Sequence, residues 1–196
     1  MTQAHTAEDV FSALHAGRIK GVMSEETLSG FAPAPVIESL MIDGLMRVGT
    51  RGAMLTPAGL EQHSCLLAEQ RAGVDLPALA ATYATFMVVN KSVLAVCAAW
   101  QESEGDEEAL FHTAHLLDDY LGLAIPALMT AAAMLPRFGV YAERLVVASR
   151  RALAGEAPYV TNPHVDSFHN AWFECHEDYL ITLERGRSEA QAAQGS

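Results

Sequence analysis

The chain changes character near residue 73, and that change limits what it can fold into. Before it, short apolar runs are cut by Gly, Pro and Ser every ten residues or so. After it come long Ala/Leu-rich stretches with helical spacing. The first pattern suits several small elements around one modest core, the second suits long helices lying side by side. A chain of 196 residues is long enough for either one sizeable core or two smaller ones.

In the first part, Val10, Phe11 and Leu14 share one face of a helix over residues 7–16. Ser24 opens a short acidic helix, Ser24-Glu25-Glu26-Thr27-Leu28. Ala32-Pro33-Ala34-Pro35 makes a turn, with Pro35 at the first position of a third helix. That helix turns Val36, Ile37, Leu40, Met41 and Leu45 inward. Leu45-Met46-Arg47-Val48 and Ala53-Met54-Leu55, joined by Gly49-Thr50-Arg51-Gly52, read as a hairpin. Thr56 then caps a fourth helix with Pro57 at its first position. Helix, helix, helix, hairpin, helix is the order of a winged helix. The run Asp43-Gly44-Leu45-Met46-Arg47-Val48 with Leu55-Thr56-Pro57-Ala58-Gly59 resembles the corresponding stretch of MarR-like and PadR-like winged-helix proteins.

In such proteins the third helix lies in the major groove. Here its outer face offers Glu38, Ser39 and Asp43, and no Lys or Arg stands between Lys20 and Arg47. Phosphate contact therefore falls to Arg47 and Arg51 at the hairpin and to Arg18 and Lys20 before the second helix, with Ser39 the candidate on the third helix. Residues 1–72 hold 5 Lys and Arg against 8 Asp and Glu, and residues 73–196 hold 7 against 16. Neither part has the basic footprint of a stand-alone nucleic-acid binder. Winged helices also act as protein-contact modules, and both readings stay open.

Residues 73–188 read as an antiparallel helical bundle, with helices near 75–101, 107–134, 140–154 and 165–184. Pro126 should kink or break the second of these. An extended stretch is expected through Thr161-Asn162-Pro163-His164, and a disordered tail over 189–196.

The last helix carries the densest polar signal. Asp166, His169, Phe173, His176 and Leu180 recur every three or four residues and so share a face, leaving Glu174, Glu177 and Asp178 for solvent. On the second helix His115 neighbours Asp118 and Asp119, with His112 nearby. If the two helices face each other, these side chains could hold a divalent metal. They could instead line an organic ligand's pocket formed by Asn90, Trp100, His115, Asp119, His169, Trp172 and His176. The plain structural alternative is that the histidines are hydrogen-bonded core residues and Asp166 is a helix cap. FadR-type regulators also join a winged helix to a metal-binding helical bundle, although their ligand spacing is not reproduced here.

Cys65, Cys97 and Cys175 form no CxxC pair, which argues against a disulfide framework and fits a reducing cytoplasm. No signal peptide is evident, and no 18-residue apolar stretch is free of charged or strongly polar groups, so no membrane span is expected. GxGxxG, Walker and GxSxG patterns are absent.

From residue 75 onward the chain resembles the helical domain of actinobacterial winged-helix proteins. The resemblance rests on Trp100-Gln101, Leu135-Pro136-Arg137-Phe138, Tyr141, Arg144-Leu145 and, above all, Asp166-Ser167-Phe168-His169, Trp172-Phe173-Glu174, His176-Glu177-Asp178 and Leu180. It implies a transcriptional regulator, and the reading built on it is a homodimer whose helical domain senses a small molecule. The alternatives are a regulatory or scaffold protein whose winged helix grips another protein, and an enzyme built on the His/Asp cluster.

Overall fold

The computed structural model describes residues 6–103 and 106–186. The tail expected to be disordered, 189–196, lies outside the described residues, as do Glu104 and Gly105 of the acidic loop. Among the described residues the chain is mainly helical, with one two-stranded antiparallel sheet. It divides into two compact units, Met1–Gly73 and Val74–Ser196.

In the first unit, α1 (Ala7–Lys20) opens on a capping box: the Thr6 hydroxyl accepts from the Asp9 N–H at 3.1 Å, and the Asp9 carboxylate accepts from the Thr6 N–H at 3.3 Å. Ser24 caps α2 (Glu25–Ser29), and α3 (Ala34–Ile42) follows Pro33. Val36 and Leu40 of α3 are buried, whereas Ile37, Met41 and Leu45 are half-buried. Strands β1 (Met46–Gly49) and β2 (Gly52–Leu55) pair with Met46 opposite Leu55, leaving Thr50 and Arg51 as a two-residue turn. Met23 exchanges two backbone hydrogen bonds with Ala53, at 2.9 and 2.8 Å, along the other edge of β2.

Two glycines are required by close approach. Gly52 has φ of 129°, and a Cβ there would sit 2.4 Å from the Met23 carbonyl oxygen. Gly59, in the first turn of α4 (Pro57–Arg71), lies against the chain entering the hairpin, where a Cβ would come within 2.0 Å of the Leu45 carbonyl oxygen. The Thr56 hydroxyl fixes the same junction, accepting from the Gly59 N–H at 3.1 Å and donating to the Gly44 carbonyl at 2.6 Å. Leu14, Met23, Leu28, Val36, Leu40, Met46 and Ala53 fill a single core. Beside it a buried imidazole pair ties α1 to α4: His15 Nδ1 and His63 Nε2 are 2.9 Å apart, with Phe11 stacked on both rings. One ring donates and the other accepts.

The second unit contains α5 (Leu76–Glu102), α6 (Glu107–Met134), α7 (Arg137–Leu153), the short α8 (Pro158–Thr161) and α9 (Phe168–Thr182). The helix expected to be kinked or broken at Pro126 runs unbroken through it as α6. The stretch expected to be extended starts on the last residue of α8, Thr161, and goes on as a turn over Pro163–Asp166. Asp166 is not the cap of α9, since Ser167 takes that place and its hydroxyl accepts from the Asn170 N–H.

Helix α5 packs along α6, α6 along α7, α7 on α9, and α9 back on α5, with α8 beside α7 and α9. Phe86, Leu117, Leu128, Phe138, Leu145, Phe168, Trp172 and Tyr179 fill the interior of this ring. By length and composition alone α5 and α6 could each cross a membrane, where no such span was expected from the sequence. Lys91 in α5, and Asp118 and Asp119 in α6, are nevertheless exposed in mid-helix.

Candidate functional site

Two surfaces carry the residues singled out from the sequence. In the first unit, burying Val36 and Leu40 turns the other side of α3 to solvent. That side presents Glu38, Asp43 and Ile42, the last 76% exposed. Ser39 is half-buried, and its hydroxyl donates to the Asp43 carboxylate at 3.3 Å, so it is already engaged within α3. Arg47 on β1 and Arg51 in the turn are exposed, with Val48, 66% exposed, between them in sequence. Arg18 is exposed in the last turn of α1, and Lys20 ends that helix with its ammonium 5.6 Å from the Phe31 ring centroid.

In the second unit, α9 is held by α5 and by α7. Against α5, the Trp172 indole N–H donates to Asn90 Oδ1 at 2.8 Å while its ring stacks on Phe86, centroids 4.2 Å apart. His176 Nε2 lies 3.1 Å from the Tyr83 hydroxyl, and Tyr179 bonds Thr82 at 3.2 Å. Against α7, the Arg137 Nε–H donates to both oxygens of Asp178, at 3.1 and 2.9 Å, and its Nη2 reaches the Thr182 hydroxyl at 2.8 Å. Two turns along α7, Arg144 grips Asp166 through Nε and Nη2 and donates from Nη1 to Glu174 at 2.8 Å. Burial works against the Arg144 charge, but its bond to Asp166 and the charge of Glu174 outweigh that and hold the guanidinium firmly protonated.

This seam corrects the expected polarity of α9. Glu174, Glu177 and Asp178 were assigned to solvent, yet they are 8%, 8% and 0% exposed. Phe173, expected inward, is 44% exposed. For Asp178 and Glu174 the reason lies on α7: Arg137 and Arg144 stand seven residues apart on one face and meet these two carboxylates, four apart on α9. A sequence reading that had paired those two spacings would have found the seam.

Of the seven proposed ligand-lining residues, the structure joins Asn90 to Trp172 and sets His176 against Tyr83. These contacts use the polar groups that would have greeted a ligand. His169 Nδ1 is buried without a hydrogen-bond partner among the described residues, and burial lowers the ring's pKa. The other three do not join this group. Trp100 is half-buried near the end of α5, ten residues and about 15 Å of helix beyond Asn90. His115 is exposed, bonded through Nδ1 to its own helix's Phe111 carbonyl at 2.8 Å, and Asp119 is exposed. Asp118 accepts from the Ser149 hydroxyl at 2.7 Å. His115 and Asp119 are thus both exposed, and their contacts do not set them against His169 or His176 of α9. Among the described residues no group of three or more His, Cys, Asp or Glu side chains is placed to hold a metal ion.

The remaining reactive groups in the seam are quenched by burial. The Cys175 thiol is raised well above its ordinary range by burial and then by the Asp178 charge. Tyr141 is raised in the same way, by burial first and then by Asp178, Cys175 and Glu174. Chemically this arrangement suits fixing a helix, not activating a nucleophile.

Comparison with known protein families, with curated proteins and with solved structures returns no match.

Proposed function

We propose that this chain is a regulatory protein whose N-terminal unit is a winged helix that grips a protein partner, carried on a helical bundle with a rigid core. The observation supporting this reading is the outer face of α3, where an isoleucine 76% exposed stands between Glu38 and Asp43 with no cation on the helix. Laid in a major groove, that face would bring two carboxylates toward phosphates and leave Ile42 without a matching surface. A protein surface with an apolar centre and a basic rim would satisfy all three residues.

The second reading, a ligand-responsive transcriptional regulator, draws support from the exposed Arg47, Arg51 and Arg18. In that reading the hairpin carries phosphate contact, and an effector site would have to form around His169.

One experiment separates the two. Fluorescence anisotropy is measured with DNA from the gene's own upstream region and with a scrambled control across a salt series. Partner co-purification is scored in parallel for Ile42→Glu and for the Arg47→Ala/Arg51→Ala double variant. The protein-contact reading expects no sequence preference at low salt and a stoichiometric partner lost only with Ile42→Glu. Salt-sensitive preference for the native DNA, lost in the double arginine variant, would replace it with the regulator reading.

A further inference from the structure

Helix α7 has two faces. Phe138, Tyr141, Ala142, Leu145, Ala148 and Ala152 are buried in the second unit's interior. Val140, Glu143, Val147 and Arg150, continued by Ala154 just past the end of the helix, recur at spacings of three, four, three and four, and all five are exposed. Val140 is 52% and Val147 54% exposed, and Met129, on the neighbouring α6, is 55% exposed. An apolar stripe at this spacing is what one helix offers another.

The order of the stripe identifies its occupant. Read in either direction from Val147, it runs from an apolar centre through a charge to an apolar end, and the two charges are opposite. A two-fold axis through Val147 would set α7 antiparallel to its copy. Val147 would then meet itself, Val140 would meet Ala154, and Glu143 would lie level with Arg150 and Arg151. Arg151 is engaged with Glu156 and Tyr159 of its own chain, which leaves Arg150 as the partner of Glu143. A face of one sign would repel its copy, whereas this one complements it twice in the isologous manner of a C2 dimer. A bilayer is disfavoured as the occupant, because Glu143 and Arg150 would both enter hydrocarbon.

We propose that two copies of this chain associate through antiparallel packing of α7 on α7, with Glu143 of each copy against Arg150 of the other. The inference rests on the second unit alone and stands or falls independently of what the winged helix binds.

The test is sedimentation equilibrium of the full chain from micromolar to sub-millimolar concentration, with circular dichroism confirming the helicity of each variant. The wild type is expected to dimerise and Val147→Glu to be monomeric. Glu143→Arg should weaken association about tenfold through loss and reversal of two ion pairs. The double exchange Glu143→Arg/Arg150→Glu should restore it. A wild type monomeric throughout overturns the proposal, as does a dimer indifferent to Val147→Glu or a double exchange no better than Glu143→Arg. Because Glu143 and Arg150 lie in solvent in the free chain, the charge exchange remains decisive even if Val147→Glu misfolds.

Discussion

Removing Asp178 should destabilise the second unit more than any change on its surface. The Asp178 side chain is fully buried and accepts from Arg137 Nε at 2.9 and 3.1 Å and from the Thr182 hydroxyl at 2.8 Å. Asp178→Ala leaves the Arg137 guanidinium, 17% exposed, without its counter-charge in a largely dry setting. Breaking a fully buried pair costs about 3–5 kcal/mol, and the residual solvent at Arg137 places this one near 3 kcal/mol, on the order of the lower bound. Replacing both partners by apolar side chains, Arg137→Met/Asp178→Leu, removes the stranded charge and should cost about 1 kcal/mol or less. Urea unfolding followed by tryptophan fluorescence is the natural assay, since Trp100 and Trp172 both belong to the second unit. With a slope of about 2 kcal/mol per molar urea, Asp178→Ala should lower the midpoint by about 1.5 M. A loss below about 1 kcal/mol, or a double variant equal to the sum of its singles, would refute the view that this pair is desolvated and mutually dependent.

Trp172→Phe should cost about 2–3 kcal/mol, because it shrinks a filled site and leaves the buried Asn90 amide without its donor; a smaller midpoint shift in the same urea assay would count against that bond. Gly59→Ala should destabilise the first unit by about 2 kcal/mol through its clash with the Leu45 carbonyl. Hydrogen exchange of the hairpin amides would register this, while tryptophan fluorescence would stay unchanged. Of the three thiols, Cys65 is exposed and should react with a disulfide reagent in the native protein, whereas Cys97 and Cys175 should react only after unfolding. Burial pushes Cys97 up to about 12, so the folded chain holds this proton more tightly than the unfolded one. The corresponding stability is complete below the ordinary thiol value near 9.0 and should fall as pH rises toward about 12, seen as a declining urea midpoint. A midpoint constant over that interval would contradict the assignment.

The sequence by itself determined the local elements. Ser24 and Thr56 were legible as caps because a side-chain oxygen one residue before the first turn meets an orphan N–H; Thr6 does the same for α1 but was not read from the sequence, and Ser167 was obscured by the more conspicuous Asp166 beside it. The hairpin was legible because its Gly-bracketed turn and alternating flanks act over a few residues. The long helices α5, α6 and α7 were legible as Ala/Leu-rich stretches with helical spacing. What the polar residues of α9 do was not legible, because a carboxylate on a helix is solvated or buried according to what stands opposite. Glu174 and Asp178 lie inside since α7 brings Arg144 and Arg137 to them from thirty and forty-one residues away. His115 and Asp119 lie outside because the packing of α6 turns their face to solvent, although their spacing alone resembled half a metal site. Local propensity and capping act within a few residues and can be read along the chain; the fate of a charge depends on desolvation and on a partner that only the packing of distant helices supplies.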